Sequence, residues 1–318
     1  MVIDERPHPR AGRDYPGTWD ELLAWFPDDA SCRAYLARLR WPAGFVCPAC
    51  AGRRAWQTAA GTWKCAGCAR RTSVTAGTIF DKTRTPLTTW FAAVWYVTNQ
   101  KYGASALGLQ RVLALGSYET AWALLHRLRA AMVRPDRDRL TGRVEVDETY
   151  VGGVEHGAKR GRGTAKSIVA IAVEVKDPKG YGRTRMQVVD SCAAVDLVPF
   201  VQAAVTPGAT VLTDGWGGYN PLGEHGYTRV KTVLAGGGNP AHVVMPAVHR
   251  VASLLKRWLL GTHQGAVDPR YLQAYLDEYT FRFNRRTSRR RGLLFYRLLE
   301  QAVITPPLTA AQLPTRHG

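Results

Sequence analysis

The chain of 318 residues carries 43 Lys and Arg against 25 Asp and Glu, a formal net charge of +18 at pH 7. That length suits two or three domains, and a 46% hydrophobic fraction with ten Trp excludes a disordered chain. No uncharged apolar run is long enough to span a bilayer, so a membrane-spanning helix is excluded as well.

The charge is regional. Residues 30–143 hold 18 basic residues and only four acids, Asp81, Glu119, Asp136 and Asp138. A polyanionic partner is expected there, nucleic acid foremost. The opening Met-Val-Ile-Asp-Glu-Arg-Pro lacks the apolar stretch of a secretory signal, so a cytoplasmic protein is expected. Six cysteines in that compartment read as thiols or metal ligands rather than disulfides.

In chain order, residues 1–17 read as a loose leader rich in Pro, Gly and charge. Thr18 to Glu21 has capping-box spacing and opens a short helix bearing Leu22, Leu23 and Phe26. A second helix is predicted over about 29–39, with Cys32, Tyr35, Leu36 and Leu39 on one stripe and Trp41-Pro42 as its stop. With the leader, these helices make an N-terminal segment over 1–42.

Two C-x-x-C knuckles follow, Cys47 with Cys50 and Cys65 with Cys68, separated by fourteen residues. Thiolates so paired, each knuckle at a hairpin turn, can surround one structural zinc tetrahedrally, and a zinc ribbon is expected over 43–82. The plainer alternative is four buried or redox thiols. Cys32 and Cys192 stand alone and read as small buried hydrophobes.

Between 86 and 140 the pattern is helical: Trp90, Val94, Trp95 and Val97, then 106–113, then Gly116-Ser117 before a third helix from Tyr118 through Leu128. This is helix-turn-helix spacing, with Arg127 and Arg129 as the expected DNA contacts. The alternative is an ordinary three-helix bundle.

From Arg143 the period becomes two. Strands are predicted over 143–151, 166–175 and 184–190, a helix over 194–205 and a strand over 210–214, with a basic loop at 157–163. This βββαβ order, followed by a Gly-rich loop and helix, is that of an RNase H-like α/β domain. We expect it over 141–303, with a mixed five-stranded sheet flanked by helices and a tail at 304–318.

In such a sheet the first and fourth strands are neighbours, so Asp147 and Asp214 should lie side by side and can hold divalent cations. Either could instead be a solvated strand or turn residue. The helix predicted over 248–260 offers no acid as a third ligand, and His249 is the candidate; Lys256, seven residues on, shares its face to within about 20°. A lone His on an amphipathic helix also reads as a core or surface residue. Strand alternation puts Glu145, not Glu148, on the face of Asp147, and neither is assigned as a ligand. Arg282, Arg285 and Arg286 open a six-arginine cluster that reads as a DNA clamp or as a solvated helix end.

Several segments together resemble one family: Arg40-Trp41-Pro42 with Cys47-Pro48-Ala49-Cys50, Val146-Asp147-Glu148-Thr149-Tyr150-Val151-Gly152-Gly153, Thr213-Asp214-Gly215 with Tyr219, Leu255-Lys256-Arg257-Trp258 with Gly261-Thr262-His263, and Phe281-Arg282-Phe283-Asn284-Arg285-Arg286. They resemble bacterial insertion-sequence transposases with an N-terminal zinc ribbon and an RNase H-like, DDE-type (ISXO-like) catalytic domain, over about residues 18–300. The resemblance implies that Asp147 and Asp214 match the first two catalytic acids and Lys256 a lysine that follows the third position. That position, Glu or Asn in many members, falls on His249, giving an Asp-Asp-His set. It implies a transposase that binds the terminal inverted repeats of its element and catalyses metal-dependent strand cleavage and strand transfer. Two Mg²⁺ or Mn²⁺ would sit at Asp147, Asp214 and His249, and Arg257 would join the DNA contacts. Double-stranded DNA, as transposon ends and target, would be the partner of a homodimer or larger assembly at the nucleoid. The rivals are a catalytically inactive, domesticated DNA-binding protein and an RNase H-like nuclease without strand transfer.

Overall fold

The Thr18 hydroxyl accepts the Glu21 N–H to cap α1 (Trp19–Trp25), and Asp28 with Ser31 closes a reciprocal box on α2 (Asp29–Arg40). The computed structural model describes residues 8–153, 166–178, 180–232, 241–265, 267–309 and 312; the expected basic loop at 157–163 lies outside them. A three-stranded antiparallel sheet follows α2, made of β1 (Ala55–Gln57), β2 (Trp63–Cys65) and β3 (Arg71–Thr72). Its small core is aromatic: Phe45 stacks on Trp63 at 5.6 Å, and Trp41 meets both rings edge-on.

Three helices come next, α3 (Leu87–Asn99), α4 (Ala106–Val112) and α5 (Tyr118–Ala131), the last two capped by Ser105 and Ser117. The chain divides into two compact units: residues up to 134 together with those from 288 onward form one, and 135–287 form the other. The first unit is completed from the far end of the sequence. Helix Arg291–Ala302, which the sequence reading assigned to the catalytic domain, packs against α2, α3 and α5, and its Phe295 meets Phe26, Phe91 and Trp95 with centroids within 6.1 Å. The reason is apolar: Leu294, Phe295, Leu298 and Leu299 form a buried stripe that matches the aromatic face of α3. The leader is less loose than expected. Tyr15 is fully buried, the Asp14 carbonyl accepts the Tyr35 hydroxyl, and a Cβ on Gly292 would strike the Pro16 carbonyl.

The second unit is a five-stranded sheet in the order β6-β5-β4-β7-β8. Strands β4 (Arg143–Val151), β5 (Ser167–Val175) and β6 (Tyr181–Val189) form an antiparallel meander. After α6 (Ala194–Ala204), β7 (Thr210–Thr213) pairs parallel with β4; a 3₁₀ helix (Gly217–His225) then leads to β8 (Thr228–Lys231), parallel to β7. This is the predicted RNase H-like α/β arrangement with its mixed sheet. Alternation sorts the faces: Val144 and Val146 join α6 residues in the main core, while Glu145 and Asp147 point to the side covered by α8 (Pro246–His263), which follows α7 (Ala241–Val244). Helix α9 (Pro269–Asn284) packs along β6, and the helix described above is α10.

Candidate metal centres

The four ribbon cysteines converge through local turns alone. Cys47 Sγ lies 3.6 Å from Cys68 Sγ and Cys50 Sγ 3.5 Å from Cys65 Sγ. A tetrahedral site with Zn–S bonds of about 2.3 Å needs sulfurs roughly 3.8 Å apart. Among the described residues, this is the one group of three or more His, Cys, Asp or Glu donors drawn within 4.8 Å of one another. The turns also favour thiolates: the Ala49 N–H pulls the Cys47 thiol down to about 6, and the Cys68 and Gly67 N–H groups lower Cys65. The residues fit a structural Zn²⁺, with four protein ligands and no open position for catalysis.

The second candidate centre is assembled by sheet register. Strands β4 and β7 run parallel, pairing Arg143 with Thr210, Val144 with Val211 and Glu145 with Leu212. Two residues beyond that last pair come Asp147, within β4, and Asp214, the first residue after β7. Asp214 lies just past the end of β7, where its Oδ1 accepts the Trp216 N–H at 2.9 Å. The loop it opens is pinned by Arg229 of β8, whose guanidinium donates to the Thr213 hydroxyl and to the carbonyls of Asp214 and Trp216. Gly218 is required in this loop because a Cβ there would strike the Cys192 carbonyl.

Helix α8 brings the third residue. His249 Nε2 lies 3.8 Å from Asp147 Oδ2, with both side chains less than one-third exposed. The trio Asp147, Asp214 and His249 is spaced more widely than the cysteine cluster, yet its acids share a neighbourhood. Tyr219, fully buried, has its phenol pushed well above the usual range first by burial and then by Glu148, Asp147 and Asp214. The hydroxyl therefore stays protonated among three acids.

Lys256, exposed two turns along α8, is held below an ordinary lysine value by desolvation and by the Lys166 ammonium. Lys166, at the start of the segment leading into β5, is thus a cation neighbouring Lys256 that sequence reasoning did not single out. Arg257 is exposed on the same helix.

The other expected DNA contacts divide. Arg127 is half-buried beside a cavity of about 350 Å³ that Lys82 and Arg84 also line. Arg129 is 2% exposed, with Nη2 turned to the Ala104 carbonyl and Nη1 to His126; its position on the inner stripe with Leu125 and Leu128 excludes a DNA contact. Arg282 is drawn inward by the fully buried Glu278 carboxylate at 2.8 Å. Arg285 lies over Phe281, while Arg286 lies over Phe283 and donates to the Gly182 carbonyl. These three arginines mainly fasten the end of α9.

Glu145 was placed on this face without a role, and Arg229 was missed. Strand alternation marks the face of Glu145, but nothing local in the sequence signals the reach of Arg229 across to the Asp214 loop.

A four-cysteine ribbon precedes a five-stranded mixed α/β domain that carries Asp147 within its central strand and Asp214 just after β7. The ISXO2-like transposase domain matches residues 139–284, and a transposase zinc-ribbon domain matches residues 27–71. The chain is 28% identical over 267 residues, 76% of its length and 87% of the relative, to an uncharacterized protein in the transposable element ISH50 of Halobacterium salinarum. Both matched segments are transposase domains, a zinc ribbon followed by an ISXO2-like domain in that order along the chain. No helix among the described residues is long and apolar enough to cross a membrane.

Proposed function

We propose that this transposase binds the terminal inverted repeats of an insertion sequence and catalyses metal-dependent DNA strand cleavage followed by strand transfer. The observation that carries the reading is the approach of His249 Nε2 to within 3.8 Å of Asp147 Oδ2, on the face of β4 covered by α8. Two carboxylates and an imidazole are a donor set suited to Mg²⁺ or Mn²⁺, the imidazole favouring the softer ion. Asp147, Asp214 and His249 would hold such cations, whose chemistry there would be Lewis-acid polarisation of a phosphodiester and activation of a water or a DNA 3′-hydroxyl.

The chain's own residues supply the rest. Asp147 is fixed by strand pairing, Asp214 by the loop that Arg229 pins, and His249 by its helix. Lys256 and Lys166 offer positive charge to the DNA phosphates beside the acids, with Arg257 extending that surface. In the first unit, the ribbon presents an exposed cross-strand row, Trp56 opposite Lys64 and Lys64 opposite Arg71, with the Lys64 ammonium 5.4 Å from the Trp56 ring centroid. Cations beside an open aromatic face suit the sugar-phosphate backbone of duplex DNA. Joining two ends to a target calls for at least a homodimer when DNA is bound, and the protein acts where the chromosome lies.

The test is an Mn²⁺-dependent cleavage and joining assay on a duplex carrying the element's ends. Wild-type cleavage with end joining, lost in Asp147→Asn while DNA binding persists, is the expected result. Cleavage without joining makes the protein a nuclease of the same fold, and binding without cleavage makes it a non-enzymatic DNA-binding protein; either outcome overturns the proposal.

A further inference from the structure

Helix α8 begins without a cap of its own. Its N-cap residue is Met245, which offers no side-chain acceptor, and its first turn contains Pro246, which has no N–H to satisfy. The His249 N–H reaches the Met245 carbonyl at 3.5 Å, leaving those of Ala247 and Val248 in need of acceptors in a buried setting. Both find one carboxylate. Glu145 Oε2 accepts the Val248 N–H at 2.9 Å, and the same side chain accepts from Ala247. Glu145 is 3% exposed and sits 103 residues earlier, in the central strand, two positions before Asp147 and on the same face.

We propose that Glu145 is a positioning residue: a latch from the sheet that fixes α8 along its axis and so holds His249 against Asp147. Two N–H groups converging on one carboxylate allow little axial slippage, whereas a shift of one turn is about 5.4 Å, enough to take His249 out of reach of Asp147. Lys256 moves with the helix, so one contact sets both residues. The inference rests on the proposed role of His249, but the latch is measurable without any reaction.

Amide hydrogen exchange of the full chain, compared with Glu145→Ala and Glu145→Gln, reads the latch directly. In Glu145→Ala the amides of 247–249 are expected to exchange at least about tenfold faster, while those of α9 are unchanged. Mn²⁺ affinity, measured by titration of the DNA-free protein, is expected to fall about 10- to 100-fold at unchanged DNA affinity, as when the residue orienting a metal ligand is lost. Glu145→Gln keeps the volume and one acceptor; it should fall between the two and provides the test if the alanine variant does not fold. Unchanged exchange in both variants overturns the latch, and so does faster exchange with wild-type Mn²⁺ affinity. His249→Ala separates the two readings: wild-type Mn²⁺ affinity in that variant defeats the ligand assignment of His249, while 247–249 exchange in the Glu145 variants still decides the latch.

Discussion

The two candidate metal centres are built in opposite ways. The ribbon's four cysteines span 22 residues, and hairpin turns alone bring their sulfurs together. The acid centre draws Asp147 from a central strand, Asp214 from a loop after β7 and His249 from a helix about 100 residues beyond the first acid, so nothing but the complete fold of the second unit assembles it. A centre of the first kind depends on its ion to be ordered, because so short a segment buries little else. One of the second kind is ordered by the sheet and needs residues whose work is to hold ligands in place.

The largest expected effect strikes the acid centre. Asp147→Asn or Asp214→Asn should lower strand cleavage by roughly 10⁴-fold, the scale of losing one member of a concerted set, and leave thermal unfolding and DNA retention in gel shifts near wild type. Loss of DNA binding in the same variants would show that the acids serve folding and not chemistry. Next is the ribbon. Cys65→Ser, or chelation, should release one zinc per chain and weaken binding to the element's ends by about 10- to 100-fold, since ribbon folding and zinc binding are one equilibrium. Exchange protection of α8 and α9 should stay unchanged; if it collapses as well, the two centres are not independent and the contrast fails.

Arg229→Ala should act more gently. The Asp214 loop loses three hydrogen bonds, and cleavage is expected to fall about tenfold through misplacement of a ligand. Faster exchange at 214–220 would accompany it, and an unaltered loop would show that strand pairing alone places Asp214.

The smallest effect spares both centres. Burial raises Asp277 of α9 from its ordinary 3.8 to about 6, despite a hydrogen bond from Gln273 and the nearby Arg137. The folded chain therefore holds this proton more tightly than the unfolded one, and the stability it brings is full below about pH 4 and lost as the pH rises through 6. Asp277→Asn, which mimics the protonated form, should stabilise the second unit by about 3 kcal/mol well above pH 6 and by nothing below pH 4, as read from urea unfolding at the two pH values.

What was legible in the sequence follows the same contrast. The C-x-x-C spacing is a local signal, and the ribbon and its ligands were read directly from it. Strand alternation and the βββαβ order gave the sheet, with the first and fourth strands paired in parallel at its centre. Side-chain direction on helices was harder. Arg129 and Arg282 have the composition of DNA contacts, but one lies on the inner stripe of α5 and the other faces a buried Glu278, and charge counts carry no such angular information. The docking of α10 on the first unit was hidden because its apolar stripe fits either unit, and only the aromatic surface of α2 and α3 distinguishes them.

That docking bears on how the protein is made. In sequence the second unit is inserted between α5 and α10 of the first, so on the ribosome the first unit waits for Phe295 to fill its aromatic core until the second has been synthesised. The second unit is complete in sequence by residue 287 and can fold before that. Termination anywhere ahead of α10 therefore leaves the first unit without its closing helix, while the second can still form.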